Sequence, residues 1–288
     1  MLLDVLRLQH FRNLSCVELE PHPRFNIFAG DNGQGKTNLL EAIYLLSSVR
    51  SFRARTNEAL IEFGHDCSIL EARVDRGGHE RVVRIEIDES GKEVFLNRSP
   101  VQRLSDFFGT VNVVKFGPDD MSLLEGSPSD RRDFIDDAVL SARPGFATEL
   151  DHYGDALDQR NAALKQDDPD ETLLEIYGRQ LAQYGADVVA RRLEFVERFE
   201  PVLSRVFDDV FGGGLEASVQ YDMKWADGLD VPRRPPERRE AIEDLLVEAL
   251  AETADRERDR GYTLVGPHRD DLQAYLDGRD IAVYGSQG

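Results

Sequence analysis

Apolar and polar residues alternate through Val5-Leu6-Arg7-Leu8 and again through Ser15-Cys16-Val17-Glu18-Leu19-Glu20, the period-two pattern of a strand with one covered face. Residues 68–74, 81–87 and 92–97 repeat that pattern. Arg76-Gly77-Gly78 and Glu89-Ser90-Gly91 separate them, which predicts a meander. Phe25-Asn26-Ile27-Phe28-Ala29 and Val111-Asn112-Val113-Val114 are short apolar runs that predict buried strands. Leu39, Ile43 and Leu46, with Leu40 and Tyr44, fall at helical spacing, and no Gly or Pro interrupts the run to Val49.

The texture changes at Ser127-Pro128, an N-cap followed by proline at the first helical position. Helical spacing then dominates to about residue 211, broken at Gln166-Asp167-Asp168-Pro169-Asp170 and closed by Phe211-Gly212-Gly213-Gly214. Residues 215–223 read as a strand. Val231-Pro232-Arg233-Arg234-Pro235-Pro236 reads as a surface linker, followed by a charged helix over 237–260. Thr263-Leu264-Val265 and Leu272-Gln273-Ala274-Tyr275-Leu276 return to strand. The pattern predicts an α/β head over 1–116 plus 262–288, with a mostly helical lobe over 117–261 inserted into it.

Between the apolar run at 25–29 and the helix lies Gly30-Asp31-Asn32-Gly33-Gln34-Gly35-Lys36-Thr37, which fits G-x-x-x-x-G-K-[ST], the phosphate-binding P-loop. Strand, glycine loop, helix is the order that chemistry needs. Glycines let backbone N–H groups turn toward a phosphate, and the helix N-terminus adds the positive end of its dipole. Lys36 would reach the β- and γ-phosphates of ATP, and the Thr37 hydroxyl would ligate Mg²⁺. The plain alternative is a flexible glycine-rich surface turn.

Composition narrows the class. With 288 residues, 41% hydrophobic and 31% charged, the chain has the make-up of a globular protein. Charges at Asp4, Arg7, Arg12, Glu18 and Glu20 speak against a signal peptide, and no apolar stretch approaches a bilayer span. The two cysteines, Cys16 and Cys67, predict ordinary thiols in a reducing cytoplasm. The six histidines have no H-x-x-H or H-x-x-x-H spacing, which argues against a histidine metal site. The net charge of −20 would repel a polyanion. It is uneven, however: residues 1–116 hold 15 Lys+Arg against 16 Asp+Glu, and 117–288 hold 20 against 39. The nucleotide-binding part is thus near neutral, with Arg50, Arg53 and Arg55 just after its helix.

Further motifs carry a resemblance. Phe11-Arg12-Asn13 is similar to the opening of RecF, structural-maintenance-of-chromosomes and double-strand-break repair ATPase heads, in which the arginine, here Arg12, approaches the nucleotide phosphates. Ser51-Phe52-Arg53 and the long run from Pro118 to Asp136, which fits P-[DE]-x-x-x-[apolar]-[apolar]-x-G-x-P-x-x-R-R-x-F-[apolar]-D, resemble the RecF family in particular. Gly266-Pro267-His268-Arg269-Asp270-Asp271 resembles the block preceding that family's signature, and Tyr284-Gly285-Ser286-Gln287-Gly288 looks like its beginning.

The resemblance implies a P-loop NTPase of the ABC-ATPase type that dimerises on ATP. Ser286, Gln287 and Gly288 of one subunit would then face the nucleotide of the other. It implies ATP and Mg²⁺ as cofactors, and DNA with gaps or single-strand/duplex junctions as the partner. RecR and RecO would be the mediator proteins, with a place in recombinational repair, replication-fork maintenance and the SOS response. No membrane is implied.

The sequence ends at Gly288 before any apolar strand closing in acidic residues. The expectation is a piece of a longer protein that does not hydrolyse ATP alone and holds no catalytic residue, the alternative being a naturally short protein that binds without turnover. The alternative in function is a similar head belonging to an ATPase-nuclease whose nuclease lies beyond residue 288. A small-molecule P-loop kinase is a third reading, which would need no signature serine. Arg131-Arg132 would contact the head or DNA phosphates, or else pair with Asp130, Asp133, Asp136 and Asp137. His268 to Asp271 would lie near the nucleotide or support the signature segment, or else form a turn-stabilising network, and Trp225 would pack rather than stack on a base.

Overall fold

The computed structural model describes residues 1–117, 123, 126–166, 169–226 and 235–284. Alternation along the early strands does what its period dictates. β1 (Leu2–Phe11) and β2 (Leu14–Leu19) form a hairpin, and β1 also pairs β3 (Cys67–Arg76), which turns back through Gly77 and Gly78 into β4 (His79–Asp88). Both turn glycines have positive φ, 65° and 86°. β5 (Lys92–Leu96) and β6 (Ser99–Pro100) complete a six-stranded sheet of order β2-β1-β3-β4-β5-β6, antiparallel throughout. Every second residue of β3 and β4 is buried: Ser68, Leu70, Ala72 and Val74, then Val83, Ile85 and Ile87. α1 (Lys36–Ser48) packs against β1, β3 and β4, burying Leu39, Ala42, Leu45 and Leu46. Leu6, Leu8, Phe11, Leu60 and Phe107 fill the same core. Each such side chain contributes about 1.5–3 kcal/mol on leaving water.

Two strand expectations fail here. Residues 25–29 and 111–114 form no strand, and Phe25 (74% exposed), Ile27 and Val114 stand open to solvent. A strand needs a neighbour for its N–H and C=O groups, and none of the described pairings includes either run. In the first run the Asn26 side chain instead closes a local turn, accepting from His22 N–H and donating to His22 C=O, each at 2.8 Å.

By its internal contacts the chain divides into two units, Met1–Phe116 with Ser141–Pro144, and Gly117–Leu140 with Gly145–Gly288. The described helices that lie wholly or mainly in the second unit are α2 (Pro128–Ala142), α3 (Phe146–Leu164), α4 (Glu171–Phe211), α5 (Pro235–Arg260) and α6 (Ile281–Tyr284). Ser127 and Asp130 cap α2 reciprocally, as the sequence predicted for its start. Asp170 caps α4 through the N–H groups of Thr172 and Leu173, and Gly212, in left-handed conformation, ends it. α4 packs on α3, α5 and β7 (Ala217–Asp222); β7, β8 (Asp271–Leu276) and β9 (Arg279–Asp280) form a three-stranded sheet. Residues 263–265 form no strand. Their polar groups are held by side chains instead: Asn161 accepts from Thr263 N–H and Glu257 from Leu264 N–H. Residues 262–284, assigned to the head by sequence, pack with this helical unit, because β8 pairs along its whole length with β7. The expected linker at 231–234 and two residues of the 166–170 break lie outside the described residues.

Candidate nucleotide-binding loop

The loop is shaped by three glycines, Gly30, Gly33 and Gly35, with φ of 153°, 85° and 96°. Gly35 has two reasons to be glycine. Its φ is left-handed, and a Cβ there would lie 2.7 Å from Leu14 Cδ2 and 2.8 Å from Asn13 Oδ1. The turn between β1 and β2 therefore presses directly on the loop. At Gly30 a Cβ would collide with Gln34 Oε1; that same oxygen accepts from Asp31 N–H at 3.1 Å. Lys36 Nζ donates to the carbonyls of Gly30 (2.8 Å) and Asp31 (2.7 Å), which holds the ammonium over the loop. Asn32 and Thr37 are exposed.

α1 starts at Lys36 with no side chain capping it and no acid in its first turn. Its leading N–H groups and dipole end are thus left for an anion from outside the helix.

A chain of side chains fixes this geometry. Asn13 Nδ2 donates to Gly33 C=O, Asn38 Nδ2 donates to Asn13 Oδ1, and Arg53 Nη1 donates to Asn38 Oδ1, at 2.8, 2.8 and 3.1 Å. Arg12, expected near the phosphates, makes a two-pronged pair with Glu41 of α1 at 2.7 and 3.0 Å. Glu41 is wholly buried and also accepts from Ser51 Oγ. Arg12 thereby ties the hairpin turn to the helix behind the loop. The sequence pointed to Arg12 and the Ser51-Phe52-Arg53 run, and to Asn13 only as part of the Phe11-Arg12-Asn13 motif with no role of its own; it did not point to Asn38 or Glu41. Their only signal was position, one residue beyond Thr37 and one turn into the helix.

Other predicted residues lie in the second unit. Arg131 pairs with Asp271 at 2.7 and 2.8 Å, and Arg132 donates to Asp270 C=O at 2.8 Å, so both reach acids far along the chain. Asp270, fully buried, accepts from Tyr221 Oη and Trp225 Nε1, both at 2.6 Å. Burial pushes its carboxyl up to about 7 against the pull of Tyr221, Arg192, Trp225 and Arg132. Burial drives His268 the other way, down to about 4. Its Nε2–H donates to Thr263 C=O and its Nδ1 accepts from Tyr153 O–H, which sets a neutral ring. Ser286, Gln287 and Gly288, and most of the 118–125 run, lie outside the described residues.

Comparison with known proteins decides the family. The chain is 36% identical over 288 residues to the DNA replication and repair protein RecF of Geotalea uraniireducens (strain Rf4), covering all of this chain and 77% of that relative. The chain belongs to the RecF family. RecF of Bacillus subtilis (strain 168) is 35% identical over 294 residues, again across the whole chain and 77% of the relative. Residues 2–126 match the family model described as the RecF/RecN/SMC N terminal domain. A solved recombination mediator protein RecF-ATP of the RecFOR pathway superposes with a TM-score of 0.90 at 29% identity, covering 99% of this chain and 77% of that one. Its RecF-ATPrS counterpart gives 0.89 at 28%, covering 99% and 76%. The fold is accordingly the RecF-type, ABC-ATPase-like head, and the protein is a RecF-like DNA replication and repair protein. No described helix is long and apolar enough to cross a membrane.

Proposed function

We propose that this RecF-family chain binds ATP with Mg²⁺ on Gly30 to Thr37 and uses it to close a dimer on gapped or single-stranded DNA in recombinational repair. The observation that carries the proposal is the pressed Gly35 joint, which holds a glycine loop against the uncapped start of α1. The residues fit the nucleotide. Lys36 supplies a cation to the β- and γ-phosphates, the α1 N–H groups receive phosphate oxygens, and the exposed Thr37 hydroxyl is available to Mg²⁺. Arg12 positions the hairpin turn through Glu41, and trading that pair for phosphate would cost a buried carboxylate its partner. Phosphate charge at the loop gives a second subunit's Ser286, Gln287 and Gly288 something to grip. The same family reading proposes RecR and RecO as partners and the cytoplasm as the site of action. Two solved relatives described as RecF-ATP and RecF-ATPrS of the RecFOR pathway support the nucleotide and the pathway.

Lys36→Met tests the loop. Equilibrium dialysis with labelled ATP should show at least about tenfold weaker binding, roughly 1.4 kcal/mol. ATP-dependent retention of gapped DNA should fall to the nucleotide-free level. Unchanged ATP binding would sink the assignment.

A further inference from the structure

His10 is the last but one residue of β1, held at φ 52°, where its backbone leaves the strand path. Across from it a short segment returns. Glu62 N–H donates to His10 C=O at 2.8 Å, Arg12 N–H donates to Leu60 C=O at 2.9 Å, and Phe11 bridges Ile61. His65 N–H then donates back to Glu62 C=O, so the segment turns and brings a second imidazole alongside the first. The two rings stack with centroids 3.6 Å apart and planes 16° from parallel. Glu62 Oε2 lies 2.7 Å from His10 Nδ1 and 3.7 Å from His65 Nε2, and one ligand atom from each residue falls within 4.8 Å of the others.

The geometry points to a binding site for a divalent transition-metal ion of the zinc type, held by His10, Glu62 and His65. Zinc bonds of about 2.0–2.1 Å place tetrahedral ligand atoms roughly 3.3 Å apart; the three ligand atoms start within 4.8 Å of one another, and binding requires the two stacked rings to turn until their nitrogens converge on one ion. Two imidazoles and one carboxylate suit zinc and its neighbours, whereas magnesium and calcium take oxygen ligands. The carboxylate is already oriented: the Ser15 hydroxyl donates to Glu62 Oε1, which leaves Oε2 facing the histidines. Both histidine side chains are partly open, 38% and 44% exposed, so solvent reaches the remaining coordination position. Bound metal would join β1 to the 61–66 segment. It would also brace the hairpin whose turn carries Arg12 and Asn13, because His10 precedes that turn and Ser15 follows it.

The test uses the purified chain stripped with chelator and kept free of nucleotide. Zinc is titrated by equilibrium dialysis with elemental analysis, and Co²⁺ is followed by its visible absorption. The wild type should take up one zinc per chain, show a tetrahedral-type cobalt spectrum and melt at higher temperature with zinc. His65→Ala changes an exposed side chain, and His10→Asn keeps a residue that tolerates left-handed φ. Each should bind at least tenfold more weakly and lose the zinc-dependent rise in melting temperature, while melting like wild type without metal. Ser15→Ala should weaken binding about tenfold through Glu62. Absence of stoichiometric zinc would overturn the site. So would undiminished zinc binding in both histidine variants, which would move the metal to the exposed thiols of Cys16 and Cys67.

Discussion

At single residues, chemistry that the sequence displays as identity is decided by neighbours. His268 and Asp270 are two residues apart, yet burial moves their protons in opposite directions. A histidine with a lowered folded value contributes stability above its ordinary range, near 6.5, and loses it as pH falls toward 4. An aspartate with a raised folded value contributes below its ordinary range, near 3.8, and loses it as pH rises through 7. Between about pH 4 and 6.5 the two slopes oppose each other, at about 1.4 kcal/mol per pH unit each. Replacing Asp270 by Asn removes one of them. The wild type's stability advantage over Asp270→Asn should therefore grow by roughly 3 kcal/mol as pH falls from 7 to 4 in urea titrations. A constant gap would mean that Asp270 folds already ionised. The glycine loop was legible at this scale because its conformation rests on the identities of Gly30, Gly33 and Gly35, all at positive φ. Arg12 was legible as important, whereas its pairing with Glu41 was not, since 29 residues separate them.

Among elements, the second unit is fastened by buried charge as much as by apolar packing. Arg192 in α4 donates to both Asp136 oxygens, at 2.7 and 2.8 Å, to Tyr221 Oη and to Pro267 C=O, joining α2, β7 and the segment before β8. Removing one partner leaves a buried charge without compensation. Arg192→Met should cost about 3–5 kcal/mol in chemical denaturation. The double variant Arg192→Met/Asp136→Leu should recover most of that loss; a loss equal to the sum of the single variants would show that the pair acts independently. Periodicity predicted the helices and the meander, since each local pattern matched the face it buries. It overcalled 25–29, 111–114 and 263–265 because apolar content states a wish for burial and says nothing of a strand to pair with.

For the whole molecule, the charge asymmetry and the proposed dimer meet. The near-neutral first unit carries the loop, and the surplus of acid lies in 117–288. DNA contact through a few phosphates would give a log affinity that falls with log salt by about 0.9 per phosphate neutralised. Ser286→Arg should leave ATP binding intact and abolish ATP-dependent dimerisation in gel filtration, together with retention of gapped DNA. A dimer that persists would remove Ser286 from the interface.

The sequence by itself displayed the glycine-loop motif and determined the strand–turn alternation of the first hundred residues, the helical texture of the middle and the family, because each rests on short-range spacing or on an ordered string of residues. Tertiary structure alone decided which distant groups meet. It set Gly35 against Asn13 and Leu14, Arg12 on Glu41, and residues 262–284 beside β7. It also brought His10 to Glu62 and His65, although the spacing of the histidines had argued against any metal site. Chain separation carries no distance: two residues 52 apart become hydrogen-bonded only when a return segment pairs beside a strand end.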